Sequence, residues 1–269
     1  ALVPVLHFLL EKPDVAGYVL FATLIFVLGS LIARGIKDGK VQLDKMFGFI
    51  ILMFFNVVFW ACFEQAGSSL TLFADRNVDR HIFGWEMGAA TTQFFNPAYI
   101  MLFGSLFAMM WVKLKSAKMD PSIPMKFGLG ILQLGLGYLV ILVGQAMAVD
   151  FMVPLVTLVL LYLLHTTGEL FLSPIGLSMV TKLVPKDMTG TAMGAWFLSI
   201  ATANYMAGLI AKLTGAEEKA GAVEGVLDKA ASLATYVDVY STMGFVTVGI
   251  GLFLMVMSPL VNKLFHGIR

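Results

Sequence analysis

The chain is 269 residues long; 59% of its residues are hydrophobic, 13% are charged, and its formal net charge is +1. Soluble domains carry about 25% charged residues, so this composition excludes a soluble globular protein and indicates a membrane protein. The basic residues lie in short stretches between apolar segments, a distribution that gives no support to nucleic-acid binding.

Seven apolar segments are candidates for membrane-spanning helices, because about 20 apolar residues cross the hydrocarbon core. They are residues 16–33, 47–73, 95–112, 125–149, 151–184, 189–213 and 236–265. The fifth is longer than a bilayer requires and is interrupted by Pro174, so we expect it to tilt, kink or protrude. Residues 1–10 are too short to span and are expected to be the end of a helix whose beginning is missing. Residues 214–235 are polar and are compatible with either a surface helix or a mobile loop.

Lysines and arginines are distributed unevenly between the two sets of alternating loops. Twelve of the 18 lie in one set, which includes the C-terminal end of the chain. Because short cytoplasmic loops are enriched in these residues, we predict that this set of loops and the C-terminus are cytoplasmic.

Small residues recur at helical spacing in two of the predicted spans. In the sixth span they occur every four residues and are accompanied by a GxxxG pattern at Gly190 and Gly194. The recurring positions are Ala195, Ser199, Ala203, Ala207 and Ala211. Small residues let helix backbones approach closely in lipid, so we expect packing within one bundle rather than dimerisation. The glycine-rich fourth span is interpreted in the same way, because no strand precedes its glycines as a phosphate-binding loop would require.

Glu64 lies inside the second predicted span, one helical turn after Trp60. The two residues therefore share a helix face. An ionised carboxylate in hydrocarbon is costly, so Glu64 should face a protein interior or a watery cavity. The functional interpretation is a proton-accepting carboxylate beside an aromatic wall; the alternative is an ion pair that only holds the bundle together. No lysine or arginine lies in the middle of another span, so a cationic partner would have to come from outside this chain.

Glu169 and Ser173 repeat this spacing in the fifth span, with His165 one turn earlier and Pro174 immediately after. Proline removes a backbone hydrogen bond, and a local opening of the helix suits a carboxylate that receives a substrate cation or a proton. His165 is equally compatible with a structural histidine in the interior. His165 and Glu169 supply too few ligands for a metal ion, and the single cysteine, Cys62, adds no second thiol. No metal site is therefore predicted.

Asn96 and Trp196 each have two interpretations from spacing alone. Asn96 opens the third span just before Pro97, and its amide is suited either to capping that helix or to hydrogen-bonding a substrate. Trp196 lies inside the sixth span, away from the interfacial belt in which tryptophan is enriched. Its position is compatible with the core of the bundle and with a pocket wall.

No catalytic triad, phosphate-binding loop or metal cluster is recognisable, so we do not expect an enzyme. Two intramembrane carboxylates on separate helices, with aromatic residues nearby, are instead typical of a path for a polar solute that is coupled to protons.

Four stretches of the sequence stand out together, and in chain order they are FWACFEQAGSSLTLFADR, QFFNPAYI, TGELFLSPIGLSMVTKLVP and GTAMGAWFLSIATAN. They resemble the C-terminal half of the proton-dependent oligopeptide transporter family, within the major facilitator superfamily. The resemblance implies an all-α, polytopic membrane helix bundle, because members enclose a peptide-binding cavity between two six-helix bundles, and bacterial members insert two helices between them. On this basis residues 1–40 form the inserted hairpin, with its first helix incomplete, and a cytoplasmic linker. Residues 41–269 form the C-terminal six-helix bundle.

The resemblance also assigns roles to residues at matching positions. Glu64 matches the acid of the family's seventh helix, which pairs with an arginine of the first helix and takes part in proton coupling and gating. Glu169 matches the acid of the tenth helix that holds the amino terminus of the peptide, and Ser173 is its polar neighbour. Asn96 matches the asparagine of the eighth helix that contacts the peptide backbone.

Trp60 and Trp196 match aromatic residues that line side-chain pockets. The glutamate–arginine motif, the lysine and the tyrosines of the family's N-terminal half are absent from this sequence. Half of the peptide site and the partner of Glu64 are therefore expected to come from the N-terminal six-helix bundle of the same protein. Because alternating access needs two bundles that rock against each other, we do not expect this chain to transport alone.

We therefore predict the C-terminal half of a proton-coupled symporter of di- and tripeptides in the bacterial inner membrane. The proton is the coupling ion, no cofactor is expected, and the predicted partners are the peptide, membrane lipid and the N-terminal bundle. Two alternatives stay open at this point: a related transporter of a non-peptide solute, and a non-transporting membrane sensor or assembly subunit.

Overall fold

The computed structural model describes residues 7, 11–214 and 228–268. Most of these residues are helical, and the α-helices are α1 (Pro13–Asp38), α2 (Lys40–Phe63), α3 (Ser69–Asn77), α4 (Phe95–Ser116), α5 (Ile123–Ala146), α6 (Val156–Leu183), α7 (Thr189–Leu213) and α8 (Lys229–Lys263). Seven segments of the described chain are long and apolar enough to cross a membrane. The seven predicted spans are confirmed, and the protein is a multi-pass helical membrane protein.

Two predictions at the ends of spans fall partly outside the described residues. The proposed helix end at residues 1–10 lies outside them apart from His7, and so do residues 215–227 of the polar segment 214–235. The remainder of that polar segment is mostly helical, because α8 begins at Lys229. Asp228 caps this helix: its carboxylate accepts hydrogen bonds from the backbone N–H groups of Ala230 at 3.0 Å and Ala231 at 3.3 Å.

The fifth predicted span differs from the observed helix in two respects. α6 begins at Val156 rather than at residue 151, because Phe151 lies in a turn and Val153–Pro154 form a short strand. The helix then continues through Pro174 without a break. The prediction that Pro174 interrupts the helix is therefore wrong; membrane helices tolerate proline where neighbouring groups satisfy the backbone that it frees.

The second predicted span is broken where a single helix was expected. α2 ends and a 3₁₀ turn over Glu64–Gly67 leads into α3. Gln65 is fully buried at the break, and its amide nitrogen donates to the carbonyls of Ala61 at 3.2 Å and Ala207 at 3.0 Å. The Ser69 hydroxyl in turn donates to Gln65 Oε1 at 2.7 Å. Gln65 therefore fastens the break to α7 and satisfies polar groups that would be costly to leave unpaired in an apolar interior.

The described residues include four short strands, three between α3 and α4 and one between α5 and α6. β1 (Val78–Asp79) pairs in parallel with β4 (Val153–Pro154), and β2 (His81–Ile82) forms an antiparallel hairpin with β3 (Trp85–Glu86). Buried Asn77, just before β1, donates through Nδ2 at 3.0 Å to the backbone carbonyls of two other segments. These contacts tie the loop after α3 to the loop before α6 and to the start of α8.

The glycines of α5 bring its backbone into contact with two neighbouring helices. A Cβ added at Gly135 would lie 2.6 Å from the backbone nitrogen of Val248 in α8, and one added at Gly130 would lie 2.7 Å from the carbonyl oxygen of Gly168 in α6. No ordinary side chain fits at such distances, so the prediction of close helix packing at these glycines is confirmed. α5 consequently lies between α6 and α8 in the bundle.

The small residues of α7 form a buried face, as the spacing predicts. Its five members, Ala195, Ser199, Ala203, Ala207 and Ala211, are all buried, and Ser199 accepts a hydrogen bond from Asn56 of α2 at 3.0 Å. The GxxxG pair behaves differently: Gly190 and Gly194 are exposed, and a Cβ added to either would have no described atom within 4 Å. The close contact therefore uses the four-residue repeat and not the GxxxG pattern.

Candidate functional site

Asn96 and Glu169 lie on α4 and α6 and are joined directly. The amide nitrogen of Asn96 donates to Glu169 Oε2 at 2.9 Å and to the hydroxyl oxygen of Thr166 at 3.1 Å. α4 begins one residue earlier, at Phe95, and has no side-chain cap. The capping interpretation of Asn96 is therefore wrong, because its side chain reaches across to the next helix and fixes a carboxylate there.

Glu64 lies at the break between α2 and α3, and its carboxyl group is half-buried. This carboxyl group makes no hydrogen bond and no ion pair with any residue in the described part of the chain. Its backbone N–H still bonds to the carbonyl of Trp60, so these two residues keep the common face that their spacing predicts. Two unneutralised carboxylates at this depth of a membrane bundle are unfavourable, so a proton or an external cation is required.

A chain of hydrogen bonds connects the two candidate tryptophans. The indole nitrogen of Trp60 donates to Asn56 Oδ1 at 3.1 Å, and Asn56 Nδ2 donates to the hydroxyl of Ser199 at 3.0 Å. Ser199 then donates to the backbone carbonyl of Trp196 at 2.6 Å. Sequence reasoning missed Asn56, although it is a fully buried amide in an apolar span, one turn before Trp60 and two turns before Glu64.

Trp196 is packed inside the bundle. Only 4% of its surface is exposed, and its ring stacks against Phe49 of α2 with 6.1 Å between the ring centroids. The ring also lies against Gly176 of α6, where a Cβ would collide with it. Trp196 thus supports the helices that carry the candidate site, and its contact with a substrate side chain stays a prediction.

Ser173 and His165 lie on α6 on either side of Glu169. The hydroxyl of Ser173 is buried and makes no hydrogen bond to any described residue, Glu169 included; its part in the site stays a prediction. His165 is 1% exposed, and its ring packs on Tyr138 with 4.6 Å between the centroids. This packing favours the structural interpretation of His165. Within residues 7, 11–214 and 228–268, no three His, Cys, Asp or Glu side chains form a group that could hold a metal ion.

Comparison with known proteins identifies the family. The sequence model of one protein family, the POT family (PTR2), matches residues 16–227. The chain belongs to the POT family. Dipeptide and tripeptide permease B of Xenorhabdus bovienii (strain SS-2004) is 33% identical over 264 residues, which are 98% of this chain and 53% of that protein.

Solved POT structures share the fold. The crystal structure of a peptide transporter POT in complex with sulfate matches with a TM-score of 0.79 and 28% identity, over 98% of this chain and 51% of the other. A POT family transporter in complex with a thioalcohol-conjugated peptide matches with a TM-score of 0.75 and 27% identity, over 97% and 52% respectively. The chain spans about half the length of the POT proteins that it matches. The predicted all-α membrane bundle of a transporter family is confirmed.

In this POT chain, four predicted site residues with carboxylate, amide or indole side chains are half-buried, and they come from α6 and from the segments of α2 and α4, two helices that both contact α6. Trp60 and Glu64 come from α2 and the turn that follows it, Asn96 comes from α4, and Glu169 comes from α6. We call these four residues the acidic face. It presents two carboxylates, one amide and one indole, a set that suits a solute carrying a positive charge and hydrogen-bonding groups.

Proposed function

We propose that the protein to which this chain belongs is a proton-coupled symporter of di- and tripeptides. The observation that carries the proposal is that the two carboxylates of the acidic face differ in their hydrogen-bond partners. The carboxylate of Glu169 is fixed by an amide donor at 2.9 Å, whereas the carboxylate of Glu64 has no hydrogen-bond or ionic partner among the described residues. Membership of the POT family, and the peptide-bound structure of a POT transporter at 27% identity, support the same conclusion.

Glu169 is the proposed anchor for the amino terminus of the peptide. Asn96 occupies one lone pair of its Oε2 and holds the carboxylate in a single orientation, while Oε1 accepts no hydrogen bond from any described residue. An ammonium group that meets a fixed, half-buried carboxylate gains a charge-assisted hydrogen bond without first ordering the side chain. Trp60 and Trp196, with Ser173, are proposed to line the surrounding side-chain pockets.

Glu64 is the proposed proton-coupling group. A carboxylate in this position is neutralised either by a proton or by a cation that another part of the protein supplies. Exchange between these two states would couple the proton to an ion pair between Glu64 and the N-terminal six-helix bundle. This ion pair would break when the proton arrives and form when the proton leaves. Such a switch couples protonation to the rocking of one bundle against the other.

The remaining features of the proposal follow from the same assignment. Residues 1–40 form the inserted hairpin and linker, residues 41–269 form the C-terminal bundle, and the C-terminus lies in the cytoplasm of a cell whose inner membrane holds the protein. The coupling ion is the proton, and neither a cofactor nor an enzymatic step is part of the mechanism.

Three matched carboxyl-to-amide variants of the full-length protein in liposomes test the proposal. We expect Glu169→Gln to weaken peptide binding, and hence both peptide exchange and accumulation. Removing one partner of a charge pair costs about 2–5 kcal/mol of binding free energy, which lowers the affinity at least about 30-fold. Glu64→Gln should retain peptide exchange and lose accumulation driven by a proton gradient. Asp238→Asn, which changes an exposed carboxylate on α8, should leave both assays unchanged.

The alternatives give different patterns in these assays. Proton-driven accumulation in Glu64→Gln would contradict the coupling role of Glu64. Saturable uptake of another amine that dipeptides do not compete with would favour a transporter of a non-peptide solute. A folded wild-type protein that moves no solute in either assay would favour a sensor or an assembly subunit.

A further inference from the structure

Asn56 of α2 is a buried polar residue to which the proposed function gives no role. Its side chain is fully buried, although it lies in a segment that is apolar enough to cross a membrane. An amide that is removed from water is unfavourable unless its groups are hydrogen-bonded. Its carbonyl oxygen accepts from the indole nitrogen of Trp60 at 3.1 Å, and its nitrogen donates to the hydroxyl of Ser199 at 3.0 Å.

The indole fixes the direction of these hydrogen bonds. An indole nitrogen can donate but cannot accept, so the amide of Asn56 must turn its oxygen towards Trp60. Its nitrogen then points to Ser199 on α7, a fully buried residue that donates its own hydrogen to the carbonyl of Trp196 at 2.6 Å. The amide therefore has one orientation and ties the indole to a second helix.

Two aromatic rings complete the support of the indole. The ring of Trp60 lies 5.6 Å from that of Phe59 and 5.2 Å from that of Phe63 between centroids, in edge-to-face geometry in both cases. Both phenylalanines are buried, whereas Trp60 is half-buried. Because Asn56 engages the single polar group of the indole, a side chain that meets Trp60 meets an apolar surface in a fixed position.

We propose that Asn56 is a positioning residue that determines side-chain specificity, because it holds the indole of Trp60 as a fixed wall for bulky apolar side chains of the peptide. This inference rests on the proposed function, in which Trp60 lines a side-chain pocket. A buried indole N–H needs a hydrogen-bond partner. Without the amide it would turn towards water or towards the carboxylate of Glu64 one helical turn further on, and the wall would move.

Asn56→Leu in the full-length protein in liposomes tests the proposal. Leucine has a similar size and suits an apolar interior, and Ser199 keeps its bond to Trp196, so the fold should persist. We expect the KM for exchange of phenylalanyl-alanine, alanyl-phenylalanine or both to rise about 3- to 10-fold relative to the KM for dialanine. That factor corresponds to about 0.6–1.4 kcal/mol, the net contribution of one neutral hydrogen bond.

A second variant and a matched control accompany this change. Ser199→Ala removes the support of the amide but keeps a small residue on the buried face of α7, and it should raise the same KM ratio by a smaller factor. Asn204→Leu makes the same substitution at an exposed residue of α7 whose amide donates only within its own helix. It should leave the KM ratio unchanged.

Combining Asn56→Leu with Trp60→Phe separates positioning from general packing. Phenylalanine has no N–H group, so Asn56 has no indole to hold in that background. If Asn56 acts through Trp60, the double variant has the same KM ratio as Trp60→Phe alone.

The hydrogen bond itself can be measured without transport. In the full-length protein with 15N-labelled tryptophan, the indole resonance that disappears in Trp60→Phe belongs to Trp60. Its hydrogen exchange should be at least about 10-fold faster in Asn56→Leu than in the wild type, because exchange requires the donor to be released. Asn204→Leu should keep the wild-type rate.

The two measurements distinguish the positioning role from the proposed function. Faster indole exchange together with a raised KM ratio supports the proposal. Unchanged indole exchange or an unchanged KM ratio in Asn56→Leu, or a further shift in the double variant, would overturn it. A folded wild-type protein that exchanges no peptide contradicts the proposed function and the specificity role with it, while faster indole exchange in Asn56→Leu would still show that Asn56 holds Trp60.

Discussion

Asn96→Leu tests whether the amide on α4 controls the carboxylate on α6. The leucine has a similar size but cannot donate to Glu169 Oε2, to which the native amide nitrogen lies at 2.9 Å. A hydrogen bond to a charged group contributes about 1.5–3 kcal/mol, so we expect the KM for dipeptide exchange to rise about 10- to 150-fold. The fold should persist, because Asn96 is only half-buried and no helix cap is lost.

The assay is the concentration dependence of dialanine exchange by the full-length protein in liposomes. Asn204→Leu is the matched control, because Asn204 is exposed and its amide donates only within its own helix, to the carbonyl of Ile200 at 3.1 Å. Combining Asn96→Leu with Glu169→Gln separates an indirect effect from direct contact with the peptide. If Asn96 acts through Glu169, the double variant is no weaker than Glu169→Gln alone. A KM within twofold of wild type in Asn96→Leu, or additive losses in the double variant, would refute this role.

Two further predictions concern the packing that positions the site. Gly168→Ala places a Cβ 2.7 Å from the carbonyl oxygen of Gly130 and should lower stability by about 1–3 kcal/mol. The control Gly104→Ala should leave stability unchanged, because its Cβ meets nothing within 4 Å among the described residues. Equal shifts in Tm for the two variants would contradict the close contact of α5 and α6. Gln65→Leu leaves several buried polar groups unpaired at the break beside Glu64, so it should lower the measured free energy of unfolding by about 1–3 kcal/mol. An unchanged free energy of unfolding would show that Gln65 does not fasten the break to α7.

Apolar length and small-residue spacing predicted the bundle correctly because both reflect burial along a single helix. All seven candidate spans in the described part of the chain were located, and α7 has the predicted bounds, Thr189–Leu213. The break after Phe63 was not predicted, because hydropathy averages over a window and passes across a four-residue turn. Its local signal was the polar run from Gly67 to Ser69, together with Gln65, whose amide is satisfied by α7 rather than by its own segment.

The candidate site was predictable in its residues but not in its pairings. An acid inside an apolar span is visible in the sequence, which is why Glu64 and Glu169 could be selected. The partner of Glu169 is 73 residues away at Asn96, and the spacing around Asn96 favoured a cap that the structure does not contain. Asn56 shows the same difficulty: its contacts with Trp60 and with Ser199, 143 residues further along the chain, exist only once α2 and α7 pack.

The most direct test of the central claim is the uptake of labelled dialanine into liposomes that hold the full-length protein, with and without an inward proton gradient. The account predicts accumulation that requires the gradient and is competed by other dipeptides but not by free alanine. The same folded protein, confirmed by a cooperative thermal transition, would contradict the account if it accumulated no dialanine with the gradient present.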